Sequence, residues 1–305
     1  MNGDLPEDSH LRRYRDIIPE WSRFVAASTT APPDVLRTNT LYVTGEELQT
    51  RLERRGVALR SLPWEDLFST SESGLGRSLE HWLGWFYLQE ATQTLPVVAL
   101  DPRPGEAVLD LCAAPGGKTS QIAARMENCG LLVANEPSGR RHPALLANLN
   151  RLGVLNCTVT AYRGESFPGR ERFDRILVDA PCSAEGTLRK DPSMRTGATP
   201  KTIERLARLQ RRLLIRAFDL LRPGGVLVYS TCTFAPEENE AAVAALLEAR
   251  DAAVEPVVLP VRGAPGITTW DDSSYPDDVS RCVRIYPHHI DSGGGFVARV
   301  VRRGA

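Results

Sequence analysis

Between residues 107 and 232 the sequence alternates short, almost wholly apolar runs with stretches of helical character. AVLDL leads through CAAPGGK into a helical segment ending at ARM. GLLVANE leads through PSGRR into a second helix. CTVTAY and FDRILVDAPC supply a third and a fourth strand, a long helix runs from residue 200 to 221, and GVLVYSTC is the fifth strand. Strands that are near-continuous Val/Ile/Leu runs are buried on both faces, and strands alternating with helices form a parallel sheet. The expected fold is α/β, with a mostly parallel, doubly wound sheet. The tail, CVRIYPHHIDSGGGFVARVV, reads as two strands about a glycine-rich turn that close the sheet as an antiparallel hairpin.

Residues 1–76 read as a separate, small α/β unit and 77–305 as the main domain. In the small unit a short helix ends near Ala27, residues 41–44 and 57–62 form strands, and residues 46–55 form a helix. The Ser/Gly-rich STSESGLGRS is its exit linker, and GWFYLQE is expected to be an apolar core helix.

Ligands of such sheets bind at the carboxyl ends of the strands. Four features gather there: the loop after Leu111, Glu136, the segment from Asp179 to Cys182, and Cys232. The loop CAAPGGKT fails as a nucleoside-triphosphate loop, because Cys112 stands where the first glycine must be. What remains is a tight, side-chain-poor turn that presents backbone amides at a helix start. Glu136 lies 19 residues beyond Gly117, the distance at which an acid grips ribose hydroxyls. A ribose-binding acid without a diphosphate fingerprint suits S-adenosylmethionine. Asp179, Cys182 and Cys232 then place a carboxylate and two thiols beside a methyl donor. That set suits methylation of cytosine carbon 5, where a thiolate adds to carbon 6 and the adjacent carbon becomes nucleophilic. The spacing alone leaves open which thiol attacks.

Bulk properties narrow the setting. The formal net charge is −1, so a polyanion would be held by local patches. Candidates are the arginines of the long helix, Arg205, Arg208, Arg211, Arg212 and Arg216, although they suit a solvated face. Arg51, Arg54, Arg55 and Arg60 of the small unit are as good a patch. No apolar run reaches the roughly 18 residues of a membrane helix, and the polar N-terminus is not a signal peptide. A cytoplasmic protein with no membrane partner is expected. The six cysteines form no CxxC pair, and the adjacent His288 and His289 would point apart in a strand, so no metal is expected. Cys112, Cys129, Cys157 and Cys282 read as space-filling thiols.

The stretches RTNTL, GWFYLQEATQTLPVVAL, VLDLCAAPGGKTSQIAARM, ANEPSGRR, DAPCSAEGTLRKDP and LRPGGVLVYSTCTFAPEENE run in the order found in the Sun/nucleolar-protein family of RNA 5-methylcytosine methyltransferases, and the sequence resembles that family over residues 37–300. Among its members it is most similar to the bacterial 16S ribosomal RNA enzymes. The resemblance implies a Rossmann-like class I methyltransferase fold and S-adenosylmethionine as cofactor. It implies an RNA substrate, ribosomal in preference to transfer RNA, which a monomer would bind; the alternative of another class is a catalytically idle RNA-binding assembly factor with the same fold. It makes Cys232 the nucleophile and Cys182 the residue that assists product release. Asp179 contacts base and cofactor, and Lys190 lies near the reacting centre. Cys112, Ala113, Ala114, Pro115, Gly116, Gly117 and Lys118 wrap the methionine end of the cofactor, with Glu136 on the ribose and Arg141 also on the cofactor side. Where the family carries Asp-Gly after the third strand, this chain has Arg163-Gly164, with Glu165 as a substitute for the adenine contact.

Overall fold

The computed structural model describes residues 5–170 and 172–303. After helix α1 (Trp21–Ser28) comes a small antiparallel sheet of order β2-β3-β1-β4, built from β1 (Asp34–Thr38), β2 (Arg60–Ser61), β3 (Leu67–Thr70) and β4 (Phe86–Leu88). Helix α2 (Gly45–Glu53) covers it. It starts at a capping box, in which Thr44 and Glu47 satisfy each other's backbone N–H groups. Its Leu48 and Leu52 bury against Leu36, Phe68 and Phe86. A four-residue helix α3 (Leu79–Trp82) precedes β4.

This unit departs from the expectation in four places. Residues 41–44 form a turn, because the Asn39 carbonyl accepts the Tyr42 and Val43 N–H groups and Thr44 caps α2. The strand expected over 57–62 is confined to β2. The stretch 69–78 is not a linker, since it finishes β3. GWFYLQE is strand β4, not a helix: Gly84 takes φ 77°, a conformation open to glycine, ends α3, and frees the next residues to pair with β1. A short apolar run does not reveal its own period. The small sheet therefore extends to residue 88, past the boundary at 76. Helix α1 packs elsewhere, with Phe24 set edge-on to Phe234 and Tyr286 of the main domain.

The main domain continues with α4 (Leu95–Leu100), β5 (Ala107–Asp110), α5 (Gly117–Arg125), β6 (Leu131–Asn135), α6 (His142–Arg151), β7 (Cys157–Thr160), β8 (Phe173–Asp179), α7 (Pro200–Leu220), β9 (Leu221–Thr231) and α8 (Glu240–Ala249). Four strands follow: β10 (Ala252–Glu255), β11 (Ala264–Pro265) and the hairpin β12 (Thr269–Trp270) with β13 (Ser273–Ser274). Then come β14 (Val283–Ile285), α9 (Pro287–Ile290) and β15 (Gly295–Arg302). The sheet runs β11-β14-β15-β9-β8-β5-β6-β7, and β10 joins the far end of β15. Strands β9, β8, β5, β6 and β7 are parallel, and β15 inserts antiparallel against β9. The expected doubly wound sheet and its closing antiparallel tail are both present. Strand order reverses at β5, between β6 and β8, which places a crevice at the carboxyl ends of these strands.

Along α7, Ile203, Leu206, Leu213, Leu214, Ala217 and Phe218 are buried, while Arg205, Arg208, Arg211 and Arg212 face solvent. Arg216 turns inward to the Phe167 and Gly169 carbonyls. His288 and His289 lie on α9 rather than in a strand, with ring centroids 4.6 Å apart, so they do not point apart. Of the cysteines read as space-filling, Cys282 is buried and Cys112 and Cys157 are half-buried, but Cys129 is exposed, at the turn that follows α5. No helix among the described residues is long and apolar enough to cross a membrane.

Candidate active site

Strands β8 and β9 run in register, with Asp179 beside Ser230. The loop beyond each strand end carries one cysteine, and the two sulfur atoms lie 3.0 Å apart. The Cys232 N–H also donates to Cys182 Sγ, at 3.2 Å. The residues just past each cysteine lock the loops together, because the hydroxyls of Ser183 and Thr233 are 2.6 Å apart and buried. Thr233 donates to Glu185, and the Gly186 N–H donates to the Cys232 carbonyl at 2.7 Å. Ser183 N–H and Gln210 both donate to the buried Glu238 carboxyl. A pair held this way from behind keeps one geometry. The hydrogen bond to Cys232, followed by burial, holds the Cys182 thiol well above the ordinary thiol range.

Gly186 explains the glycine-rich turn near the C-terminus. Its N–H meets Cys232, its carbonyl accepts the Gly294 N–H, and a Cβ there would lie 2.4 Å from the Gly294 carbonyl oxygen. Gly186→Ala is expected to push the Cys182 loop off Cys232. Methyl transfer should fall at least tenfold, and the melting temperature should fall with it, measured by initial rates and thermal unfolding.

Asp179 is held on both oxygens: Ser230 donates to Oδ1 at 2.8 Å, and Lys118 Nζ to Oδ2 at 2.8 Å. Lys118 also donates to Gln93, at 2.5 Å. Beside them opens a solvent-connected cleft of about 190 Å³. Its walls include Asp110, Cys112, Ala113, Ala114, Pro115, Gly117, Lys118, Asp179 and Lys190. Gly116, at φ 102°, turns the chain into α5, whose first residues, Gly117 and Lys118, line this side.

Glu136 and Arg141 sit behind the loop rather than in the cleft wall. Arg141 bridges the Glu136 carboxylate, at 2.9 Å, and the Ala114 carbonyl, at 2.5 Å, and the Ser138 N–H also donates to Glu136. Arg163 is exposed and ion-paired to Glu165 at 2.7 Å, and neither residue lines the cleft.

Several cleft residues lie within the family stretches without a chemical signature of their own. Tyr87, Glu90 and Gln93 reach it from β4 and the segment after it, and Ser230 reaches Asp179 from β9. Arg37 ties the small unit to the start of α5. It is fully buried, donates to the Gly117 carbonyl, Gln89 and Ser120, and lies over the Tyr87 ring. Burial pushes it down to about 10, so it stays charged. Asn39 makes the companion clamp, donating to the Gly84 and Leu152 carbonyls.

Asp110 was also missed, although an acid at the end of the first strand of such a sheet was a readable signal. It is buried, accepts from Thr119 on Oδ2, and leaves Oδ1 without a partner among the described residues. Burial pushes it up to about 7, and burial does the same to Glu238. A carboxyl whose folded value is raised keeps its proton while the unfolded chain has released it. Stability therefore falls as pH rises from about 4 to about 7 and stays reduced above that. Asp110→Asn should raise the melting temperature at pH 8 more than at pH 5, read by thermal unfolding at both values.

Comparisons with known proteins place this geometry among relatives. The family model described as 16S rRNA methyltransferase RsmB/F matches residues 97–301. A tRNA (cytosine(49)-C(5))-methyltransferase of Pyrococcus abyssi is 41% identical over 87% of this chain and 86% of its own length. Ribosomal RNA small subunit methyltransferase F of Shewanella amazonensis is 42% identical over 87% of this chain and 57% of its own. The crystal structure of a methyltransferase homologue from Pyrococcus horikoshii superposes with a TM-score of 0.85 at 34% identity, over 96% of this chain and 93% of the other. The chain spans about half the length of several ribosomal RNA methyltransferases it matches.

Proposed function

The chain belongs to the 16S rRNA methyltransferase RsmB/F family, and from that membership we propose that it methylates carbon 5 of a cytosine in RNA, ribosomal RNA in the first place, with S-adenosylmethionine as the donor. The observation that carries the reading is the pair of thiols 3.0 Å apart beside the tethered Asp179.

The cleft residues fit the donor. Asp110 Oδ1 is an acceptor waiting for an ammonium group, and the amides at the start of α5 suit a carboxylate, so the two ends of a methionine moiety find partners. Residues 112–118 would hold that moiety, with Glu136 and Arg141 bracing the loop from behind. When bound, S-adenosylmethionine supplies an electrophilic methyl to the activated carbon 5.

The chain's own residues do the rest. Cys232, as thiolate, forms a bond to carbon 6 of the cytosine, and the ring's electron pair moves to carbon 5. Asp179 faces the base and orients the ring as charge develops on it. Lys118 and Ser230 hold it in place. Cys182 assists removal of the proton from carbon 5. The carbon–sulfur bond then breaks and Cys232 leaves as thiolate.

A transfer RNA substrate is the second reading. It is favoured by the likeness to the Pyrococcus abyssi enzyme, which extends over 86% of that protein. The test is incubation with methyl-labelled donor and, separately, ribosomal and transfer RNA, followed by digestion to nucleosides. Label in 5-methylcytidine from ribosomal RNA is expected. Label from transfer RNA alone would select the second reading, and none from either would exclude both.

A further inference from the structure

A second cavity, of about 440 Å³, opens beside the catalytic cleft between the small sheet and the main domain. The two share a partition. Glu90 lines the cleft and Ala91 lines the cavity. On the opposite strand of chain, Asp291 lines the cavity and binds Arg189 at 2.7 Å, while the next residue, Lys190, lines the cleft. The Ser292 hydroxyl accepts the Thr92 N–H and closes the partition. The cavity is therefore the neighbour of the cleft across one thin wall of residues 90–92, 189–190 and 291–292.

The chemistry of the cavity suits a nucleotide. Its walls are mainly apolar, from Val35, Pro260 and Ile290, with Trp64 among them. The indole N–H of Trp64 is already given to Thr94, at 2.9 Å, so Trp64 offers a ligand its ring. The rim is cationic. Arg60 is exposed and forms no ion pair among the described residues. Arg262 is 67% exposed and holds only Glu20, at 3.2 Å, a surface pair of little strength. The one carboxylate in the wall, Asp291, is neutralised by Arg189, which is 3% exposed. A flat apolar base with an attached phosphate matches this combination.

We propose that this cavity receives a nucleotide flanking the target cytosine, with its base against Trp64 and its phosphate toward Arg60 and Arg262. The inference rests on the RNA reading above and adds a specificity subsite to it. Base–aromatic stacking is sequence-tolerant, so the subsite selects for an unpaired, accessible neighbour more than for a particular base.

The test uses the full chain and a short RNA spanning the modified cytosine, made intact and with an abasic residue at each flanking position in turn. For the unaltered protein, one abasic position should weaken binding about tenfold, equivalent to about 1.4 kcal/mol. The doubly reversed Arg60→Glu/Arg262→Glu protein should bind intact RNA at least about tenfold more weakly. It should raise KM more than it lowers kcat and show a salt dependence shallower by about one to two counterions. In Val261→Trp, which fills the cavity, the abasic position should cost nothing further, and melting curves check that each variant is folded. Normal methyl transfer with unchanged affinity in both variants would overturn the subsite alone. No methyl transfer to RNA by the unaltered protein would overturn the enzymatic reading, and the subsite with it.

Discussion

Cys232→Ala is expected to lower methyl transfer by at least about 10⁴-fold and to leave no covalent protein–RNA complex, because the nucleophile and every step that follows it are lost together. Cys182→Ala is expected to fail differently. The thiolate can still add and carbon 5 can still take a methyl, but the adduct is released slowly. A band of protein bound to RNA should then accumulate on a denaturing gel. The asymmetry follows from the roles that the family resemblance gives the two thiols, which lie 3.0 Å apart. Adduct in Cys232→Ala and none in Cys182→Ala would exchange the two roles.

The second large effect lies under the site. Arg284 and Glu240 form a fully buried ion pair, with Arg284 Nε 2.6 Å and Nη2 2.5 Å from the two carboxylate oxygens. Arg284 Nη1 also donates to the carbonyl of Phe234, two residues beyond Cys232. Burial opposes the guanidinium's charge, but the Glu240 carboxylate outweighs it and makes Arg284 more basic than an ordinary arginine. Glu240→Ala leaves that charge buried without a partner, which costs about 3–5 kcal/mol. In a chain of this size the melting temperature should drop by roughly 5–10 °C. Glu240→Leu with Arg284→Met removes both charges and should recover most of the loss, since apolar replacement of a buried pair is often close to neutral. A double variant as unstable as Glu240→Ala would show that the cost lies in packing rather than in charge. Activity of the double variant separates stability from alignment of the segment after Cys232.

The main sheet was legible because its parallel strands are long apolar runs ended by glycine turns, as in AVLDL before CAAPGGK. The small unit was not, because its strands are short edge elements set by partners distant in sequence. Phe86 to Leu88 is a strand only because β1 lies beside it and Gly84 ends α3. The same non-locality hid part of the cleft. RTNTL carries part of the family resemblance but no local sign of its role, which is that Arg37 and Asn39 clamp the small sheet to α5 and α6. Asp179, Cys182 and Cys232 could be read from strand ends, since parallel neighbours bring those ends together. Glu136 and Arg141 could be found but not placed, because only the fold shows that they brace the loop from behind.

The central claim is that Cys232 is the atom that attacks the base. The direct measurement uses substrate RNA with 5-fluorocytosine at the target position, where carbon 5 has no proton to lose and the adduct persists. After incubation with S-adenosylmethionine, proteolysis and peptide mass spectrometry should find the nucleotide on the peptide that contains Cys232, with the peptide containing Cys182 unmodified. A nucleotide attached to Cys182, or an RNA that is methylated without ever yielding a trapped adduct, would contradict it.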